Sequence, residues 1–109
     1  MPIQEISVSE AKRRLDAPQP PRLIDVRETD EYEIARIAGA DLLPLSQWPA
    51  LAAEKLTDPA QALLIHCHHG GRSGRAAEFL LRNGFTDVTN IVGGIDAWAL
   101  EIDPGIPRY

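Results

Sequence analysis

Apolar residues in this chain fall in short runs, and the spacing within each run changes from strand-like to helix-like and back. Ala62 to His66 is a compact apolar run of strand length, the pattern of a strand buried on both faces. Arg22 to Val26, rich in β-formers and bounded by prolines and charges, reads as a second strand, and Val88 to Val92 as a third. Asp41 to Leu43 is a brief fourth, ending at Pro44. Between them the period lengthens. Ala76, Ala77, Leu80 and Leu81 recur at helical spacing, and Asn83-Gly84 closes that helix. Ser7 with Glu10 forms a capping box for a helix running to about Leu15. Thr29 or Asp30 caps a short helix containing Tyr32 and Ile34, which Gly39 breaks. Ser46 opens a helix towards Lys55. Gly93-Gly94 is a turn, followed by a last helix from Ile95 to Leu100. The cluster Pro18-Gln19-Pro20-Pro21 is a loop, because proline restricts both itself and its predecessor.

Strands alternating with helices across short connections predict an α/β fold with a mainly parallel sheet covered on both faces. Such sheets bind ligands beyond the carboxyl ends of their strands. Cys67 stands at one of those ends, directly after the run 62–66.

Composition narrows the picture. At 109 residues, with a hydrophobic fraction of 44% and a charged fraction of 25%, the chain is expected to form one globular domain over 1–109. Its longest apolar runs, Ala62 to Ile65 and Ala97 to Leu100, are too short to cross a bilayer, and the start lacks a secretory pattern. One cysteine permits no internal disulfide, which sets the cytoplasm as the expected compartment. A net charge of −5 argues against nucleic-acid or anionic-membrane partners. The charge is unevenly spread, however: residues 66–82 hold Arg72, Arg75 and Arg82 against Glu78, and Cys67 lies within that basic segment. A positive neighbourhood around one thiol suggests an anionic substrate, although a solvated helix face gives the same count.

The segment His66-Cys67-His68-His69-Gly70-Gly71-Arg72-Ser73 holds all three histidines and the cysteine. A metal site is disfavoured, since neighbouring side chains in an extended chain point to opposite faces and no second Cys or His cluster completes the set. Solvent-exposed loop residues are the plain reading of the histidines, and for His68 and His69 it weighs at least as much as a part in chemistry. A nucleophilic Cys67 fits better. Gly70 and Gly71 let successive N–H groups turn inward, a helix starts immediately afterwards, and Arg72 and Arg75 add charge in its first turn. Each effect favours thiolate over thiol. An inert buried cysteine is the alternative. Phosphatases place an arginine six residues after the cysteine of an HC pair; here that position is Ser73, and the arginine comes one residue early at 72.

The chain resembles the single-domain rhodaneses, a sulfurtransferase family, over about residues 5 to 99. Leu23-Ile24-Asp25-Val26-Arg27 with Glu28, Glu31 and Tyr32 matches the LIDVRE-x-x-E-[FY] segment. Ile37 to Ala40 and Leu43-Pro44-Leu45 resemble the IPGA and IPL stretches. Cys67, Gly70, Arg72 and Ser73 match the C-x-x-G-x-R-S loop, and Gly84-Phe85 and Gly93-Gly94-Ile95 with Trp98 resemble the closing motifs. Ala35-Arg36-Ile37 departs from the usual Gly-His-Ile, so a family role does not carry over to position 36. The segment 102–109 is similar to the tail of rhodanese domains attached to enzymes that activate sulfur-carrier proteins.

The resemblance implies a five-stranded sheet flanked by helices on both faces. It also implies a persulfide on Cys67, cradled by His68, His69, Gly70, Gly71, Arg72 and Ser73, with Arg72 assisting anionic donors. The shorter loop then suits one sulfur atom rather than a tetrahedral phosphate. The expected activity is thiosulfate sulfurtransfer without metal or organic cofactor, delivering sulfur to cyanide, a thiol or a sulfur-carrier protein. The alternatives are a binding or regulatory domain of the same family and a phosphatase or arsenate reductase on the same fold. Asp25 and Arg27 read first as a structural ion pair bracing a strand end, and second as a substrate contact. Trp98 and Phe79 read as core aromatics, and Trp48 beside Pro49 as a candidate pocket wall.

Overall fold

The computed structural model describes residues 3–109. Five strands, β1 (Gln4–Ile6), β2 (Arg22–Asp25), β3 (Asp41–Leu42), β4 (Leu63–His66) and β5 (Val88–Ile91), form one sheet in the order β1-β5-β4-β2-β3. Every neighbouring pair runs parallel. Parallel neighbours require crossovers, and helices supply them: α1 (Val8–Leu15), α2 (Thr29–Ile34), α3 (Ala50–Lys55), α4 (Gly71–Arg82) and α5 (Gly94–Glu101).

Alternation along β4 splits the core into two layers. Leu63 and Ile65 face one cluster, with Ala52 and Leu56 around α3 and Ala76, Ala77 and Leu80 of α4. Leu64 faces the other, with Val8 and Ala11 of α1 and Ile95 and Trp98 of α5. All four residues of β4 and of β5 are buried, as expected for central strands covered on both sides. The α/β architecture with a covered parallel sheet is therefore as the alternation predicts.

Five local details differ from the sequence reading. No apolar pattern marks β1, an edge strand of three residues that β5 holds by backbone pairing. The box expected at Ser7 is half made: Ser7 Oγ accepts from the Glu10 amide at 3.2 Å, while the Glu10 carboxylate turns to Arg13 and Arg14. The cap of α2 is Glu28, one residue earlier than expected, with its N–H donated to Glu31 Oε1 at 3.1 Å. That helix also stops at Ile34, before Gly39, because Ala35 is extended and enters the core with Ile37. Finally, the helix expected from Ser46 to Lys55 is divided into a 3-10 turn at Leu45–Gln47 and α3. Trp48 between them is extended (φ −83°, ψ 154°), the conformation favoured before a proline.

Candidate active site

Cys67 leaves the C-terminal end of β4 and opens a loop that closes at Gly71, where α4 begins. The shape of this loop is imposed by α5. Cys67 O accepts from Ile95 N at 2.9 Å, His68 O from Asp96 N at 3.1 Å and His69 O from Gly93 N at 2.9 Å. With three successive carbonyls drawn to the first turn of α5, the loop amides are left to turn the other way, towards the cysteine. Close approach requires glycine at 94: its φ is +55°, and a Cβ there would lie 2.4 Å from Cys67 O. Gly70, at φ +124°, makes the turn into α4.

Cys67 is buried, yet its sulfur is not surrounded by apolar groups alone. Gly70 N donates to Sγ at 3.1 Å, and Ser73 Oγ lies 3.4 Å from it. Burial alone pushes the thiol pKa up. The Ser73 hydroxyl and the amides of Ser73, Gly70 and His69 outweigh it, so the net shift is downward. Relative to a free cysteine, the thiolate is easier to form.

Arg72 is less free than its sequence position implies. It grips Glu31 through two contacts, Nη1 to Oε1 at 2.5 Å and Nη2 to Oε2 at 2.9 Å. Arg72, foremost, holds the Glu31 carboxyl down at about 2. Arg75 is exposed on α4. Arg36 is exposed too and lies over the Tyr32 ring, 4.3 Å from its centroid.

The histidines separate into three environments. His66 is buried, unlike the exposed loop residue of the plain reading, because it is the last residue of a central strand. Its Nε2 sits 3.7 Å from Asp25 Oδ2 without a hydrogen-bond partner, and burial lowers its pKa, keeping it neutral. His68 is half-buried between two rings, His69 and Tyr109, each 4.0 Å away centre to centre. His69 is exposed, with Nε2 3.7 Å from Asp96 Oδ2. His68, His69 and Asp96 bring three ligand-type atoms within 4.8 Å of one another, a grouping the spacing argument did not contain because Asp96 comes from α5. Both carboxylate oxygens of Asp96 already accept from Arg108, at 3.0 and 3.3 Å, so an ion there would have to displace that arginine.

Asp25 and Arg27 form the structural pair that the first reading favoured. Both are buried, and Arg27 Nη2 meets Asp25 Oδ2 at 2.7 Å. Arg27 also donates to Ala35 O at 2.7 Å and Tyr109 Oη at 2.9 Å. Trp98 is buried in the core, and Phe79 packs edge-on against Trp48. Trp48 donates Nε1–H to Leu43 O and packs on the core beside α3 and α4.

Three residues near the loop were not found from sequence. Asn90 of β5 contacts Ser73 and Gly70, Glu31 of α2 holds Arg72, and Tyr109 donates its hydroxyl to Glu31 at 2.8 Å. Glu31 lies inside a quoted motif and Tyr109 closes the tail segment 102–109, which were the available signals; Asn90 carried none.

A five-stranded parallel sheet presenting one thiol to inward-turned loop amides is the architecture of a rhodanese-like domain. Residues 7–101 match the family model of that description, and the chain belongs to the family. Among its relatives is the Rhodanese-like/PpiC domain-containing protein 12, chloroplastic, of Arabidopsis thaliana, 40% identical across 99% of this chain and 38% of that longer protein. Another is the adenylyltransferase and sulfurtransferase MOCS3-1 of Zea mays, 37% identical across 95% of this chain and 23% of that one. The chain thus spans well under half of either relative. The crystal structure of a rhodanese-like domain protein from Staphylococcus aureus superposes with a TM-score of 0.79 at 28% identity, covering 98% of this chain and 99% of that one. No helix among the described residues is long and apolar enough to cross a membrane.

Proposed function

We propose that the protein is a sulfurtransferase in which Cys67 carries the transferred sulfur. The observation supporting this most directly is the 3.1 Å contact from Gly70 N to Sγ, within a loop whose carbonyls at 67, 68 and 69 are drawn away to α5. The Cys67 thiolate attacks the outer, sulfane sulfur of a donor such as thiosulfate. A sulfur–sulfur bond forms to Sγ as the donor's own breaks, and sulfite leaves with the bonding pair. The negative charge now rests on the outer sulfur of Cys67–S–S⁻, where the amides of residues 68–73 and the positive end of α4 offset it. In the second step an acceptor (cyanide, a thiol, or a sulfur-carrier protein) attacks that outer sulfur and restores the thiolate. Two displacements replace one difficult transfer. Membership of the family and the sulfurtransferase name of the maize relative support the same class of chemistry.

Intact-mass spectrometry after mixing with thiosulfate tests the proposal. The expected result is a gain of one sulfur atom per chain, reversed by cyanide. Uptake from no donor would return the chain to the binding-domain reading.

Arg72 is proposed to help seat anionic donors, sharing its guanidinium between the donor and Glu31. Arg72→Ala should raise KM for thiosulfate by about tenfold, the worth of one charge-assisted contact. Steady-state kinetics with a neutral sulfane-sulfur donor should show a much smaller change, and equal losses would remove the anion-binding role.

A further inference from the structure

Ser73 is buried, and its hydroxyl faces three acceptors with one proton: Asn90 Oδ1 at 2.6 Å, Gly70 O at 3.2 Å and Cys67 Sγ at 3.4 Å. The surroundings of Asn90 reduce that choice to two. Its Nδ2 donates to Glu5 Oε2 at 3.0 Å and Gly70 O at 3.2 Å. Reversing the amide would set Oδ1 against a carboxylate and a carbonyl, neither of which can donate. Oδ1 is therefore turned to Ser73, whose hydroxyl is its only donor among the described contacts. Gly70 O already accepts from Asn90 Nδ2 and from Gly74 N, so both its lone pairs are served. The Ser73 proton is contested between the Asn90 amide and the sulfur.

We propose that Asn90 is a positioning residue that holds the Ser73 hydroxyl proton while the Cys67 sulfur is uncharged and releases it to the sulfur when that sulfur is a thiolate. A neutral thiol or a bridging sulfur is a weak acceptor, so the short bond to Asn90 wins. A thiolate is a charged acceptor, and a charge-assisted bond is about twice as strong as a neutral one. Only a rotation about the Ser73 Cβ–Oγ bond is needed, with no proton transferred between heavy atoms. The consequence for the cycle rests on Cys67 being the sulfur carrier. On loading, charge moves from Sγ to the outer sulfur, Sγ becomes a neutral bridge, and the hydroxyl swings back to Asn90. That return offsets the hydrogen bond the thiolate gives up, so Asn90 favours loading. Asn90 is a buried residue of a central strand, and three hydrogen bonds hold its amide in place.

The charged and titratable groups around the pair are Arg72 of α4 with Glu31 of α2, Glu5 of β1 behind Asn90, the Asp25, Arg27 and His66 set at the ends of β2 and β4, and His68, His69 and Asp96 at the loop. None is altered in the test. Asn90→Leu keeps the side-chain size and removes the acceptor; Asn90→Ala is a smaller second variant should leucine not be accommodated. Thiolate absorbance against pH is the readout. In either Asn90 variant the hydroxyl loses its short acceptor and keeps only the longer contact to Gly70 O at 3.2 Å as a weaker rival to the sulfur, so the Cys67 midpoint should fall by up to about one pH unit, the worth of one hydrogen bond to an anion. Ser73→Ala should move it the opposite way, and in the Ser73→Ala background the Asn90 variants should cause no further shift. The equilibrium constant for persulfide formation at a fixed thiosulfate-to-sulfite ratio should fall by about tenfold in the same variants. A midpoint that rises or stays put in the Asn90 variants, as general loosening of the loop would produce, overturns the proposal. A shift that persists without Ser73 also overturns it. The titration is independent of sulfur transfer, so it reads the proton's position even if Cys67 takes up no sulfur.

Discussion

Cys67→Ser loses thiosulfate-to-cyanide sulfur transfer by at least about a thousandfold, because no group is left that ionises near neutrality and forms a stable bond to sulfane sulfur. A serine hydroxyl keeps its proton in the cradle that favours a thiolate. The fold should hardly notice. The replacement is similar in shape, and its oxygen can still accept from the Gly70 amide that now meets Sγ at 3.1 Å. Thermal unfolding should therefore show a loss of only about 1 kcal/mol. A discontinuous cyanide assay beside a melting curve makes the comparison. Retained transfer in a folded variant would remove Cys67 from its assigned role.

Arg27→Leu has the largest expected effect on stability. The substitution leaves the Asp25 carboxylate buried without its cation, and the Ala35 carbonyl and Tyr109 hydroxyl each lose a donor. Removing one partner of a buried ion pair typically costs about 3–5 kcal/mol, because the other charge keeps its desolvation penalty. In a domain of this size that is a large part of total stability. Urea unfolding followed by far-ultraviolet circular dichroism measures it. A loss under about 1 kcal/mol would show that the pair is not bracing the end of β2. Replacing Asp25 and Arg27 together by apolar residues should restore part of the loss, since no unpaired charge then remains.

How much could be read from the chain followed from how local each determinant is. β4 is legible because residues buried on both faces of a sheet leave a compact apolar run, and β2 and β5 because their β-forming residues stand between turn, proline and charge signals. α4 is legible from its period and from the Asn83-Gly84 stop, where Gly84 takes φ +91°. β1 is not, since Gln4-Glu5-Ile6 becomes a strand only when Val88 to Ile91 stands beside it. The break at Trp48-Pro49 was legible in principle, the restriction on a residue preceding proline being local, but the polar-apolar pattern runs across it.

The site divides in the same way. Cys67, the glycines after it and the early arginine are contiguous, and their order alone pointed to a thiolate in an amide loop. The partners that complete it are remote: Glu31 lies 41 positions from Arg72, and Tyr109 lies 78 from Glu31. They also change the meaning of what was visible. Arg72, a free cation by sequence, is matched by a carboxylate, and His66, one of three loop histidines by sequence, is a neutral residue beside an ion pair.

By itself, the order of residues determined the alternation of strands and helices, the parallel sheet, and the place of the thiol at the end of a central strand. These depend on short-range periodicity, turn chemistry and the burial of apolar runs. Only the folded chain decided which way the loop's N–H groups face, because their direction follows from three carbonyls bonding the first turn of α5, some 25 residues away. A hydrogen bond is directional and its partner is chosen by packing, so the groups that make the sulfur ionisable are set by elements distant in the chain.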